Sequence, residues 1–480
     1  VNRRQMMQAG AGLGLGVVLP NGLFAQSIKK LEFPPLLDAT SSQKFHLRAQ
    51  AGETQFAERA GTDTLGFNQA YLGPTLRLRT GFTTQAEVEN TLDEPMSAHW
   101  HGLMVPGESD GGPHQPILPG QTWRPLLPLD QPPATAWYHS HVHGATARQV
   151  MYGLAGVLQV TDGRDDERGL PSNYGVDDLT LVLQDRQFDW RGRIKYTPGM
   201  HETMNGFLGD TILVNGQIDT AAEVPRGLVR CRLVNGSNSR IYNLWLSDGR
   251  PMHVVATDGG FIDQPLPLTK LTLAPGERYE ALIDFTNGND TVLMSDNVNN
   301  SPMGGMMGGS DGGAGFAVLP FRINASLPVR ITKMPLHLNS DIPDLIGADA
   351  TVRRISLDMS MGMGMMMSRS GQQFSINGET FDQNSLNFTV AQNSVERWVV
   401  SADMMMHPFH IHGVRFQVVS ENGQTPRAQN DGWKDTVLID GTAELLMQFE
   451  KPASATAPFM YHCHILEHED GGMMGQFSVA

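Results

Sequence analysis

Short runs recur along the whole chain in which apolar residues either alternate with polar ones or follow one another directly: "TLRLRT", "LTLVLQD", "LVRCRLVN", "YEALIDF", "SVERWVVS" and "ELLMQFE". Alternation with period two marks strands with one face on a core, and the Asn-Gly, Asp-Gly and Pro-Gly pairs between the runs mark tight turns. No long stretch carries the helical period. The pattern predicts an all-β protein of antiparallel sandwiches.

A repeat divides the chain. "PGQTWRPLLPL" from Pro119, "PGERYEALIDF" from Pro275 and "DGTAELLMQFE" from Asp440 read as one strand used three times, and "ILVNGQ" and "FSINGE" read as matching entries into the second and third copies. Three related sandwiches are expected, over 29–165, 166–330 and 331–480, the first junction falling in the polar "TDGRDDERGLPSNYGVDD".

With 480 residues the chain is long enough for three cores, and a net charge of -15 without any Lys/Arg run argues against nucleic acid or an anionic membrane as partner. Two cysteines make no disulfide framework, and Cys231, alternating with arginines in "LVRCRLVN", is expected to fill a core. At the N-terminus an Arg-Arg pair precedes a mildly apolar stretch too short to span a bilayer, then small residues. Residues 1–28 therefore read as a twin-arginine export signal, with Val1 as an alternative start, leading to the periplasm. No other stretch suits membrane insertion.

Chemistry concentrates in "MYHCHILEHEDGGMMG", residues 460–475. On a strand His462 and His464 share one face and Cys463 takes the other, so one strand touches two sites. His468, Met473 and His407 of "MHPFHIHG" complete a thiolate, two-imidazole and weak thioether set of the blue-copper kind. "HWHG" at 99–102 matches "HIHG" at 410–413, and "WYHSHVHG" at 137–144 matches "MYHCHILE" at 460–467. Ser140, Met96, Ala145 and Val150 stand where the third copy has Cys463, His407, His468 and Met473, so the thiolate site belongs to the third domain alone. The His-x-His pairs are kept in both: His99 and His101, His139 and His141, His410 and His412, His462 and His464. Eight imidazoles are too many for one ion and suit a cluster shared between two domains, whereas a structural zinc takes four ligands and usually draws on more cysteines. In the middle copy Met252 and His253 read as packing or surface residues.

These motifs resemble the complete signature of the multicopper oxidases, and "HWHGLMVPGESDGG", "HPFHIHG" and "HCHILEHEDGGMM" resemble the bacterial copper-efflux, laccase-like branch. The resemblance implies three cupredoxin-like Greek-key domains and four copper ions. His407, Cys463, His468 and axial Met473 would hold type 1 copper; His99 and His410 type 2; His101, His139, His141, His412, His462 and His464 the type 3 pair. Cys463 would collect electrons that His462 and His464 pass to dioxygen. Axial Met473 in place of leucine implies a modest potential. Asp110 and Glu469 match the family's proton-relaying acids, and Asp403 an acid that orients His407.

The donor is read from methionines. Of 26, 14 crowd into 303–307, 359–367, 404–406 and 473–474, and thioethers favour Cu(I). Met405 falls where the efflux branch has a methionine beside type 1 copper, and Asp358 is a candidate for the acid of an additional labile substrate-copper site. The segment "SLDMSMGMGMMMSRSGQQFSING" is shorter than the branch's insertion and has no histidine, which implies a more open type 1 edge. The leading expectation is a monomeric cuprous oxidase of copper tolerance, reducing dioxygen to water. Beside it stand a laccase for phenols or aromatic amines and a copper-sequestering protein; no specific iron site is discernible.

Overall fold

The computed structural model describes residues 28–56, 60–298, 315–338, 345, 350–360 and 374–480. The export-signal reading and the methionines at 303–307 and 361–367 lie outside them. Six sheets form, two to each of three sandwiches. In the first, Leu36–Asp38, Thr75–Arg79, Ala155–Thr161 and Ala134–His139 make one sheet, and Thr62–Phe67, Lys44–Thr54, Phe82–Asn90 and Thr122–Trp123 lie in the other. Leu47, Leu76, Val88, Tyr138 and Leu158 pack between them. The middle sandwich has two six-stranded sheets, the third a six- and a five-stranded one. The segment before the first domain joins the middle one: Lys29–Lys30 pairs with Thr220–Val224.

The repeated strand takes the same place each time. Leu126–Leu129, Arg278–Asp284 and Thr442–Gln448 pair antiparallel with Phe82–Asn90, Leu228–Asn235 and Val395–Ala402. The far edge of each partner strand departs from the antiparallel expectation, running parallel to Lys44–Thr54, Asp178–Arg186 and Thr351–Met359. Alternation along one strand fixes which face is buried but carries no information on the neighbour's direction, which the longer connections set. The Asn-Gly pairs of "ILVNGQ" and "FSINGE" behave as their dipeptide dictates: Asn215 and Gly216 (φ 51° and 73°) and Asn377 and Gly378 (φ 54° and 75°) take left-handed φ at tight turns. Cys231 is a free, buried thiol in the middle core, to which Met252 also belongs. Among the described residues no helix is long and apolar enough to cross a membrane.

Apolar seams join the sandwiches. Trp137, Val157, Val182 and Val234 pack the first domain on the middle one, Ala147 and Val150 meet Leu466 of the third, and Ile241 and Ala274 meet Leu438. A charged node sits where all three meet. Arg278 of the middle domain, fully buried, donates to both carboxylate oxygens of Asp435 at 2.6 and 2.5 Å, and Lys434 reaches Asp258 and Glu277 at 3.0 and 3.1 Å. Removing one partner of such a node strands the others without water. Arg278→Leu is expected to cost about 3–5 kcal/mol and to lower the thermal midpoint measured by circular dichroism.

Candidate metal centre

The histidine cluster grows from strand register. His99 and His139 face each other in the first domain, exchanging N–H···O bonds of 2.9 and 3.2 Å, and His410 faces His462 in the third. Since side chains alternate, each second histidine lies on the same face as its first, and the two domains turn those faces toward each other. Their rings interlock in opposite directions: His101 stacks on His410 with centroids 3.6 Å apart, and His99 on His412 at 3.8 Å. All eight rings are at most 1% exposed. Burial, and after it the neighbouring imidazoles, holds His101, His139, His141, His412, His462 and His464 well below the usual histidine pKa, so they are neutral and able to ligate.

In six of the eight rings the outer nitrogen has a protein partner; Nδ1 of His141 and both nitrogens of His464 have none. Nδ1 of His99, His139, His410 and His462 donates to the carbonyls of Asp110, Ser140, Asp435 and Cys463 at 2.9–3.1 Å, and His412 Nδ1 donates to Asp110 Oδ2 at 2.7 Å. Those bonds leave the Nε2 lone pairs pointing inward. Nε2 of His99, His139 and His410 has no protein partner. Nε2 of His462 lies 3.2 Å from Nε2 of both His141 and His412, a convergence of lone pairs that a cation resolves. His101 is reversed, with Nε2 donating to Asp435 Oδ1 at 3.1 Å and Nδ1 free toward the centre. Buried polar atoms rarely stay unpaired, and a set confined to one cavity is what metal ions satisfy.

The second site lies on the other face of the strand Phe459–Cys463. Cys463 Sγ is 3.3 Å from His407 Nδ1 and 3.7 Å from His468 Nδ1, and Met473 is buried in the same core, its carbonyl accepting from Cys463 N at 3.1 Å. Burial pushes the Cys463 thiol far above its usual pKa, so without a cation it stays protonated; a soft metal ion converts it to the thiolate ligand. The donor set of thiolate, two imidazoles and thioether fits copper. In the first domain the counterparts Met96 and Val150 are buried apart, one in the sandwich core and one in the seam with Leu466, and Ser140 hydrogen-bonds Gln149.

Two carboxylates reach the cluster. Asp110 follows the short turn Gly107–Ser109; at Gly111 (φ 81°) a Cβ would come within 1.9 Å of Ala98 O, so this close approach admits only glycine. Asp110 Oδ2 also stands 3.4 Å from His99 Nδ1, while Oδ1 is buried without a partner. Glu469 places Oε1 and Oε2 each 3.3 Å from Nδ1 of His141 and His462. Burial, and then the charge of Asp470, raises its carboxyl pKa well above the usual range. Met405 is buried in the core that contains the cysteine site.

Two expectations need correction. Asp403 is exposed, and His407 Nε2 has no hydrogen-bond partner, so this acid does not orient that ring. Asp358 turns away from the site: Leu357 and Met359 take the core face of their strand, whereas Asp358 accepts from Ser356 Oγ at 3.0 Å and Gly378 N at 2.8 Å to hold the Asn-Gly turn. His407 and His468 are both 0% exposed, and residues 361–373, on which the expected open edge rests, lie outside the described residues. Sequence reasoning missed Asp435, whose signal was a Lys-Asp pair interrupting the apolar run "WKDTVLI".

Models described as multicopper oxidase match residues 48–165, 189–307 and 355–480. Among solved structures, the laccase-like multi-copper oxidase CueO of Ochrobactrum sp., with oxidase activity towards lignin model compounds, is similar at 42% identity and TM-score 0.86, over 94% of this chain and 100% of that one. A Campylobacter jejuni multicopper oxidase described as a metallo-oxidase is similar at 26% identity and TM-score 0.80, over 94% and 95%. Curated relatives from Escherichia coli and Xenorhabdus nematophila, both named cell division protein FtsP, are 38% identical over 100% of this chain and 99% and 98% of theirs.

Proposed function

Because the chain belongs to the multicopper oxidase family, we propose that it takes single electrons from a donor, cuprous ion first, and delivers four of them to dioxygen to give water. The observation that carries this reading is Cys463 lying between His462 and His464, with the cysteine site and the histidine cluster on opposite faces of one strand. Four copper ions, a type 1 ion at His407, Cys463, His468 and Met473, a type 2 ion at His99 and His410 and a type 3 pair at the other six histidines, supply the redox chemistry when bound. The strand's backbone is the shortest covalent path between the two sites. Asp110 holds His412 in place, Glu469 faces His141 and His462, and the buried oxygens of both acids are placed to pass protons to the reduced oxygen. Asp435 keeps His101 turned with Nδ1 inward.

Cu(I) as donor draws support from the thioethers around the site. Met405 is buried within its core, and Met359 pairs with Phe374, whose ring stacks on His468 at 4.5 Å. Copper tolerance in the periplasm, after twin-arginine export and as a monomer, completes the proposal. The Ochrobactrum similarity favours a laccase-type alternative for aromatic donors. Full-length similarity to proteins named for cell division favours a second reading, a part in division beside or in place of oxidation. Retention of every candidate ligand argues against a purely sequestering role.

The deciding measurement is dioxygen uptake by copper-loaded protein with stabilised Cu(I) or a bulky phenol, each with and without added Cu(II), repeated for Met405→Leu. Saturable Cu(I) turnover that drops about tenfold in the variant supports the cuprous oxidase, a loss of about 1.4 kcal/mol in transition-state stabilisation. Fast phenol oxidation without added copper, indifferent to Met405, makes the protein a laccase. No uptake with any donor leaves the cell-division reading.

A further inference from the structure

We infer that the middle-domain segment from Tyr196 to Phe207 is a specificity-determining cover on the outward edge of the His468 imidazole, with Met204 as its contact residue. The inference rests on the oxidase reading for its consequence but not for its geometry.

The sulfur-facing nitrogen of His468 is committed to the cysteine site, which leaves Nε2 as the ring's outward edge. That edge does not meet solvent. Nε2–H donates to the backbone carbonyl of Met204 at 3.1 Å, and Phe374 stacks on one face of the ring. Met204 lies on the short helix Met200–Asn205 of the middle domain, yet its side chain is 8% exposed and packs into the third domain's core with Cys463 and Met473.

Glu467, the neighbour of His468, anchors this segment. Its buried carboxylate accepts from Tyr196 OH at 2.9 Å, Asn238 Nδ2 at 2.8 Å and Phe207 N at 3.2 Å, and Ser239 Oγ donates to Phe207 O at 2.6 Å. The turn after the helix needs Gly206 (φ 81°), because a Cβ there would lie 2.3 Å from Ser239 Cβ. Bonds on both sides of the helix therefore fix the Met204 carbonyl against the imidazole.

Two consequences follow. An aromatic donor cannot touch His468, so an electron entering through this ring leaves its donor outside the cover and crosses through the Met204 peptide and the Nε2–H···O bond, no other bond being made or broken. This arrangement favours compact one-electron donors such as cuprous ion over bulky phenols. The carbonyl also raises the basicity of the imidazole, which favours the oxidised form of a metal bound at Nδ1.

The test compares copper-loaded full-length protein with Met204→Ala and with a variant whose residues 200–205 are replaced by a Gly-Ser run of equal length. Three quantities are read: the midpoint potential of the blue centre by redox titration, and kcat and KM separately for 2,6-dimethoxyphenol and for stabilised Cu(I). The expected result for the Gly-Ser variant is a higher potential and a KM for the phenol lower by about tenfold, with Cu(I) KM changed less than about threefold. Met204→Ala keeps the carbonyl, so it should lower the phenol KM in the same direction while leaving the potential in place. Unchanged potential and phenol KM in the Gly-Ser variant would overturn the cover. If that variant does not fold, an unchanged phenol KM in Met204→Ala overturns it. Should wild type turn over no donor, the oxidase reading fails, while the potential shift still decides the cover.

Discussion

Cys463→Ser will abolish the blue absorption band and reduce donor oxidation to background, with at least a thousandfold loss in kcat on the order of 4 kcal/mol. The reason is specific to this residue. The sulfur is the one soft anionic ligand among the described residues at this site, and the hydroxyl that replaces it is neither thiolate nor readily ionised while buried. The cluster should survive, because Cys463 turns away from it and six of its eight imidazoles are held by Asp110, Asp435 and backbone carbonyls. Copper analysis should therefore show loss of one ion in four, with a cluster that remains detectable by paramagnetic resonance. Loss of all copper would mean that the strand itself depends on the cysteine.

Glu469→Gln is expected to slow dioxygen reduction by about 10²–10⁴-fold, the range for removing a positioned proton-transfer group. Both carboxylate oxygens face imidazole nitrogens and neither has a hydrogen-bond partner, so glutamine keeps the shape and loses the capacity to exchange a proton. The entry side is untouched. In stopped flow the blue band should still bleach at the wild-type rate under donor without oxygen, and its return on adding oxygen should be slow. Equal slowing of both phases would assign Glu469 to packing.

The strand character, the threefold repeat and every histidine pair were legible because each rests on local spacing. His99 and His101, or His462 and His464, fall on one face by the period of a strand alone. What local spacing does not carry is direction and partner. The parallel neighbours of Phe82–Asn90 and its two counterparts depend on connections, not on alternation. Asp403 stands four residues before His407, and that proximity suggested a contact the chain's turn does not make. Asp358 follows the same logic in reverse, since its strand parity already faces it away from Leu357 and the core. Met204 was beyond reach, because the group it offers His468 is a backbone carbonyl from another domain, which no residue type announces. Asp435 and Arg278 were reachable only as charges oddly placed within apolar strands.

The eight imidazoles divide evenly between residues 99–141 and 410–464, the two ends of the folded chain. A nascent chain lacking its last seventy or so residues has only half of the stacks His99–His412 and His101–His410, so the full eight-imidazole cluster needs both outer domains. Filling the complete cluster is thus a final inspection step: it succeeds only after the outer sandwiches have found each other across the middle one. Once the ion is held, its binding energy opposes their separation and makes the assembled order hard to reverse.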